Sequence, residues 1–423
     1  MGFFRRYGLT TIIAIIGLVV SIVLFQLIRQ RARERSMSEL MSIGQNSGAA
    51  LQKTLDIHLQ TVRSLKSLFD ASDEVTRNDF KIFTTPTIVE HRGIQALEWA
   101  PKVTHDQRAA VEASLREQGL AKHRFTERNA QGEVVVAGQH DEYFPVLYVE
   151  PLAGNESALC YADWGDSRRD VIHRARDKGR AAASRRLVLV QEKQDRFGVL
   201  IFSPVYESPE PPEDLQQRRQ SLRGFVEGVF RVEDLVNEGL DPLDLWAVDV
   251  HLFDDDDVED QRPLFSRHAR EESSTDSHSE RRNSNRHRQS LTAGPHHVST
   301  LEFADRRWSL IVTPSESFPD LEGGWTPWLA LVAGLLFSLV LAAYIATFQS
   351  RASEIEALVS QRTTQLLTAN KQLEIARFAI ERAVDAIFRF DDEGLIVDVN
   401  LVGSKLLRTP RSELLGLHAE SFD

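Results

Sequence analysis

The sequence predicts an α+β chain held by two transmembrane helices, and two observations lead there. Two uncharged apolar runs are each long enough to cross a bilayer, and helical and strand periodicities alternate between them. Hydrophobic content of 42% and charged content of 26% are those of a folded protein. The net charge of −12 comes without a long basic surface, so no nucleic-acid partner is expected. Cys160 is the single cysteine and cannot form an intrachain disulfide, which leaves the fold to its apolar core.

The first run, 9–28, reads LTTIIAIIGLVVSIVLFQLI, about the ~20 residues a spanning helix needs. Arg5 and Arg6 precede it; Arg29, Arg31, Arg33 and Arg35 follow. A cleaved signal peptide would have a shorter apolar stretch and a small-residue cleavage site, so an uncleaved anchor is expected. The second run, 325–348, opens on Trp325 and Trp328, rings suited to the headgroup layer. Asp320 and Glu322 lie before it and Arg351 after it, which puts its C-terminal side inside. Two spans return the chain to its starting side. Residues 1–8 are therefore expected in the cytoplasm and 29–318 outside, in a multi-pass inner-membrane protein with a periplasmic domain.

Within that outer domain, Leu51, Leu55, Leu59, Val62, Leu65 and Leu68–Phe69 recur at helical spacing and mark a long helix leaving the membrane. Strands are expected over Gly93–Pro101, Tyr143–Pro151, Leu187–Gln191, Phe197–Val205, Gly224–Val232 and Arg307–Thr313. Helices are expected over His105–Gly119, Ser167–Gly179 and Val232–Leu240. Between Asp254 and Ser299 the sequence turns acidic, then rich in Ser, Arg and His, and is expected to be a disordered insertion. Five of the 13 histidines fall there (His268, His278, His287, His296, His297), at spacings that fit no compact metal site. Neither metal nor cofactor is expected.

The phrases IQALEWAPKV (Ile94–Val103), YFPVLYVEPLAGNE (Tyr143–Glu156), RARDKGRAAASRRLVLVQ (Arg174–Gln191), FGVLIFSPVY (Phe197–Tyr206) and GFVEGVFRVEDLV (Gly224–Val236) follow in order. Together they make the stretch from Gly44 to Pro314 resemble the CHASE domain, the extracytoplasmic sensing module of bacterial sensor kinases, cyclic-dinucleotide enzymes and plant cytokinin receptors. The resemblance implies a stalk helix followed by tandem PAS-like subdomains, with a small-ligand pocket in the membrane-distal one. Carried over by position, ligand-binding residues would be Tyr143, Phe144, Tyr161, Asp163, Ser184 and Phe202. Many relatives have Gly-Tyr-Asp where this chain has Cys160, Tyr161 and Ala162, with Asp163 one place later. Cys160 reads as a buried apolar residue rather than a redox sensor.

After the second span, Ile355, Val359, Arg362, Leu366, Ala369, Leu373, Ala376 and Ile380 step by four and three, a heptad seam over 350–380 that predicts a homodimer. Residues 377–423 then resemble the first half of a PAS domain: AIFRFD as a strand, DDEG as a turn, LIVDVN as a second strand and a helix over LVGSKLL. In relatives such a unit leads to a histidine-kinase core or a cyclic-di-GMP enzyme. No catalytic residues are expected in the chain as given. Glu356–Ala357–Leu358 spells a phosphodiesterase signature only by coincidence, inside the heptad helix. The expected function is therefore that of a sensor module, binding a small extracytoplasmic ligand and passing the signal across the membrane, most naturally to a histidine kinase. A cyclic-di-GMP enzyme or a catalytically silent signalling partner is the alternative.

Overall fold

The computed structural model describes residues 2–118, 124–129, 131, 133–162, 166–189, 197–257, 260, 262–269, 284–318 and 324–422. They fall into two compact units, one of residues 28–324 and one of residues 1–27 with 325–423. Helix α1 (Gly2–Asp70) contributes to both.

The larger unit continues with α2 (Arg77–Glu90), which Thr76 opens: its hydroxyl accepts from Asp79 N–H at 3.2 Å while the Asp79 carboxylate accepts from Thr76 N–H at 3.1 Å. Next come β1 (Ile94–Pro101), β2 (Val103–Thr104), α3 (His105–Glu117), β3 (Thr126–Arg128), β4 (Val134–Val136), β5 (Glu142–Tyr143) and β6 (Tyr148–Glu150). Helix α4 (Asp166–Lys178) stops at Gly179, whose φ of +65° suits a residue without Cβ. Strands β7 (Ala182–Ala183), β8 (Leu187–Val188) and β9 (Phe197–Tyr206), helix α5 (Leu215–Gln220) and strand β10 (Leu222–Arg231) lead directly into α6 (Val232–Leu240). The unit ends with β11 (Val248–Asp254), β12 (Phe265–Arg267), α7 (Ser284–Ala293), β13 (His297–Phe303) and β14 (Arg306–Pro314).

Two antiparallel sheets organise this unit. The first runs β6-β1-β10-β9-β7, with β8 also on β9; the second runs β12-β11-β14-β13. Both faces of the first sheet are buried. On one, Leu97, Trp99, Val226, Phe230 and Ile201 share a core with Leu55, Leu59, Val62 and Leu65 of α1. On the other, Ala96, Ala100, Phe225, Val229, Leu200 and Phe202 pack with Val171, Ile172 and Ala175 of α4. Double burial explains why β9 and β10 read as almost unbroken apolar runs. Gly228 permits the first contact: a Cβ there would lie 2.6 Å from Val62 Cγ2. Further along α1, Gln52 donates to the Glu302 carbonyl at 3.0 Å and accepts from Glu302 N–H at 2.8 Å, pairing the open edge of β13.

The interval 254–299, expected to be disordered, contains β12, α7 and the start of β13. Buried Leu264 anchors β12 against β11, while Leu301 and Phe303 seat β13. A few apolar anchors in a polar tract suffice once a neighbouring strand supplies hydrogen bonds. Residues 270–283 lie outside the described residues.

In the smaller unit, α1 and α8 (Thr326–Glu381) are both long and apolar enough to cross a membrane. They meet through small residues. A Cβ on Gly17 would sit 2.2 Å from Ser338 Oγ, and one on Gly334 would sit 2.5 Å from Ser21 Oγ. Each serine donates to its own helix, Ser21 to Gly17 O and Ser338 to Gly334 O, both at 2.7 Å. Strands β15 (Phe388–Phe390) and β16 (Ile396–Val399) then pair across a turn at Gly394, φ +83°, followed by α9 (Leu401–Leu406) and α10 (Arg411–Leu414). Asn400 holds this hairpin: it accepts from Gly403 N–H and Ile387 N–H and donates to the Ile380 and Asp385 carbonyls.

Candidate ligand site on the first sheet

One row of residues crosses the first sheet on the α4 side: Val149, Glu98, Glu227, Phe202 and Ala182, from β6 to β7. Its centre is two carboxylates. Glu98 and Glu227 are 1% and 2% exposed, with apolar neighbours on either side. Strand alternation puts them there, since Ala96 and Ala100 flank Glu98, and Phe225 and Val229 flank Glu227. The alanines leave little bulk beside the acids.

Burial pushes Glu98 up to about 7 although the charge of Arg168 pulls the other way. Burial, and then the neighbouring Glu98, lifts Glu227 well above the usual carboxylate range. The two residues stand directly opposite across the β1–β10 pair, and two buried carboxyls so close favour one of them keeping its proton. Glu98 Oε1 and Glu227 Oε2 are buried with no hydrogen-bond partner among the described residues. Arg168 of α4 lies over the Tyr161 ring, 4.9 Å from its centroid, and supplies the nearby positive charge. With one shared proton, the two acids and Arg168 sum to zero charge. A cationic or N–H-donating group entering here would find two waiting acceptors and release the proton.

Of the residues expected from the resemblance, Phe144 and Phe202 come together around Phe225, with ring centroids 5.1 and 6.1 Å from it. Phe202 stands next to Glu227 in the row. Tyr161 is buried beside Arg168; its strand-like segment is fixed by Val146 N–H to Tyr161 O at 3.1 Å and Ala162 N–H to Thr126 O at 2.8 Å. Tyr143 is committed elsewhere. Its hydroxyl donates to Gly138 O at 2.8 Å, accepts from His140 N–H at 2.9 Å and lies 3.3 Å from Arg108 Nη1. Ser184 likewise accepts from Leu200 N–H at 3.0 Å and donates to Arg185 O at 2.7 Å. Asp163 lies outside the described residues.

Glu98 and Glu227 escaped the sequence reading, although a signal existed. Each is the single charged residue inside an otherwise apolar stretch, ALEWA and FVEGVF, at a position facing the same way as its apolar neighbours two residues off. That the two strands pair these residues directly is a matter of register, which neither stretch displays.

Residues 73–265 match the CHASE domain family, a span that contains the whole carboxylate row. The chain is 22% identical over 355 residues to hybrid signal transduction histidine kinase A of Dictyostelium discoideum, covering 80% of this chain and 16% of that protein. The periplasmic sensory domain of the Campylobacter jejuni chemoreceptor Tlp1 is similar at 11% identity, with 68% of this chain and 98% of that one covered and a TM-score of 0.41. The ligand-binding domain of the Pseudomonas aeruginosa PAO1 amino acid chemoreceptor PctC, solved with GABA, is similar at 13% identity, 65% and 97% coverage and a TM-score of 0.33.

Proposed function

We propose that this protein, whose residues 73–265 match the CHASE domain family, is an inner-membrane receptor whose periplasmic domain binds a small ligand through a cationic amine or N–H donor held by Glu98 and Glu227. Its signal passes through the heptad segment of α8 and the half-PAS unit to a histidine-kinase output, with the chain working as a homodimer. The chain spans about 16% of the length of the Dictyostelium kinase it matches. The observation carrying the ligand class is the pair of buried, unpartnered carboxylate oxygens on the sensor face. An unsatisfied buried acceptor costs about 1–3 kcal/mol, a cost a native fold tolerates where a ligand removes it.

The test uses the purified full chain in lipid nanodiscs and a size-matched panel of primary amines, amidines, neutral amides and carboxylic acids. Cationic members should raise the melting temperature of the wild type and leave E98Q/E227Q unmoved. Calorimetry in buffers of different ionisation enthalpy should register proton release on binding. A preference for carboxylic acids, or equal binding by E98Q/E227Q, contradicts the reading.

A further inference from the structure

A second cluster of titratable groups lies on the α1 side of the first sheet, away from the carboxylate row. His58 of α1 is fully buried, and its Nδ1 lies 2.7 Å from the Thr54 carbonyl. A carbonyl only accepts, so Nδ1 carries the proton and Nε2 presents its lone pair. Nε2 has no hydrogen-bond partner among the described residues, and it faces Oε2 of Glu238 at 3.5 Å. A lone pair thus confronts a carboxylate oxygen. His91, capping the C-terminus of α2, brings its Nδ1 to 2.9 Å from the other oxygen of the same carboxylate. All three donor groups lie within 4.8 Å of one another. Gly93 closes the cluster: its N–H donates to Glu238 Oε2 at 2.7 Å, and a Cβ there would come within 2.9 Å of His58 Nε2.

We propose that His58, His91 and Glu238 form a binding site for a divalent transition-metal ion of the zinc class, tying α1 to α2 and α6. Two imidazoles and one carboxylate are a donor set zinc accepts, with a fourth position left for water. Imidazole nitrogen favours such ions over calcium or magnesium. The Nδ1–H bond to Thr54 O is the outer-shell support that fixes a ligating histidine's tautomer and aim. Bond lengths of roughly 2.0–2.2 Å set tetrahedral donors about 3.3 Å apart, and one donor atom from each residue already lies within 4.8 Å of the other two, so side-chain rotation can draw them onto an ion. The three ligands come from residues 58, 91 and 238, a separation no sequence spacing rule would detect. The group found among the described residues contains none of the insertion histidines that draw the eye in the sequence.

The experiment uses the full chain in detergent micelles, stripped with EDTA and titrated with zinc or cobalt chloride. The wild type should bind one zinc per chain and give the visible bands of four-coordinate cobalt, and zinc should raise its melting temperature. H91A and E238Q, altered at partly exposed side chains, should melt normally in EDTA yet bind zinc about 100-fold more weakly or worse. Should E238Q fail to fold, H91A decides the matter. Replacing His268, His278, His287, His296 and His297 together with Gln should leave zinc binding intact, as should E98Q/E227Q, which keeps this site separable from the ligand site. The proposal is overturned if the wild type binds no zinc, if H91A binds as well as wild type, or if binding vanishes with the insertion histidines.

Discussion

Cys160 shows how one residue's backbone can explain a departure from the family pattern. It is fully buried at φ +63°, in the left-handed region, with its N–H on Val146 O and its carbonyl accepting from Thr126 N–H. A non-glycine residue there costs roughly 1–2 kcal/mol, a cost that the glycine expected here from the resemblance would avoid. Burial pushes its thiol up to about 12, so it holds its proton at neutral pH, in keeping with an inert role. Cys160→Gly should fall within about 1 kcal/mol of wild type, relief of strain offsetting lost packing, whereas Cys160→Val should cost about 2 kcal/mol or more in urea denaturation. The acid pair makes a prediction with a definite sign. Glu98 ionises near its ordinary 4.5 when unfolded and near 7 when folded. The folded form therefore holds more protons across that window, and stability falls as pH rises from about 4.5 through 7, by on the order of 3 kcal/mol. E98Q/E227Q should flatten this slope in thermal melts taken across the same range; an unchanged slope would assign it to other groups.

At the scale of elements, α8 exposes its heptad positions: Ile355, Val359, Leu366, Leu373 and Ile380 are all at least half exposed. The proposed dimer would cover these positions with a second helix. V359C and L366C should crosslink in membranes under mild oxidation, and T364C, off the seam, should not; equal crosslinking at all three would remove the case for a heptad dimer. The hairpin beyond it has a small core, with Ile396, Val399 and Leu414 as its buried apolar residues. A polypeptide of residues 377–423 should accordingly melt without cooperativity, and a sigmoidal thermal transition would show otherwise. Strands β9 and β10 and the α1 core face were readable because their burial repeats along the chain. Helix α2 was not, since Pro86 sits inside it and its buried side chains are Phe80 and Thr84. Strand β11 was hidden because VDVHLFD runs straight into DDD. The proposed sites divide likewise: Phe144 and Phe202, which lie beside the acids, are expectations from the resemblance, whereas the acids needed the β1–β10 register and the histidine cluster needed tertiary contact.

For the larger unit as a whole, the decisive feature is that both faces of its first sheet are buried. The side chains of β10 alternate between two territories, Glu227 toward the proposed ligand and Val226, Gly228 and Phe230 toward α1. Gly228→Val would drive a side chain into Val62 and the Phe230 ring, and should cost roughly 1–3 kcal/mol in denaturant titrations, with ligand-dependent stabilisation reduced in step. The distance between stimulus and stalk is then the thickness of a single strand. A ligand that flattens, twists or slides β10 by a fraction of an ångström moves the very surface on which α1 rests. The receptor proposed above would have no internal wire to cut: its antenna and its lever would be opposite sides of one ribbon, and variants that deafen it should cluster on both.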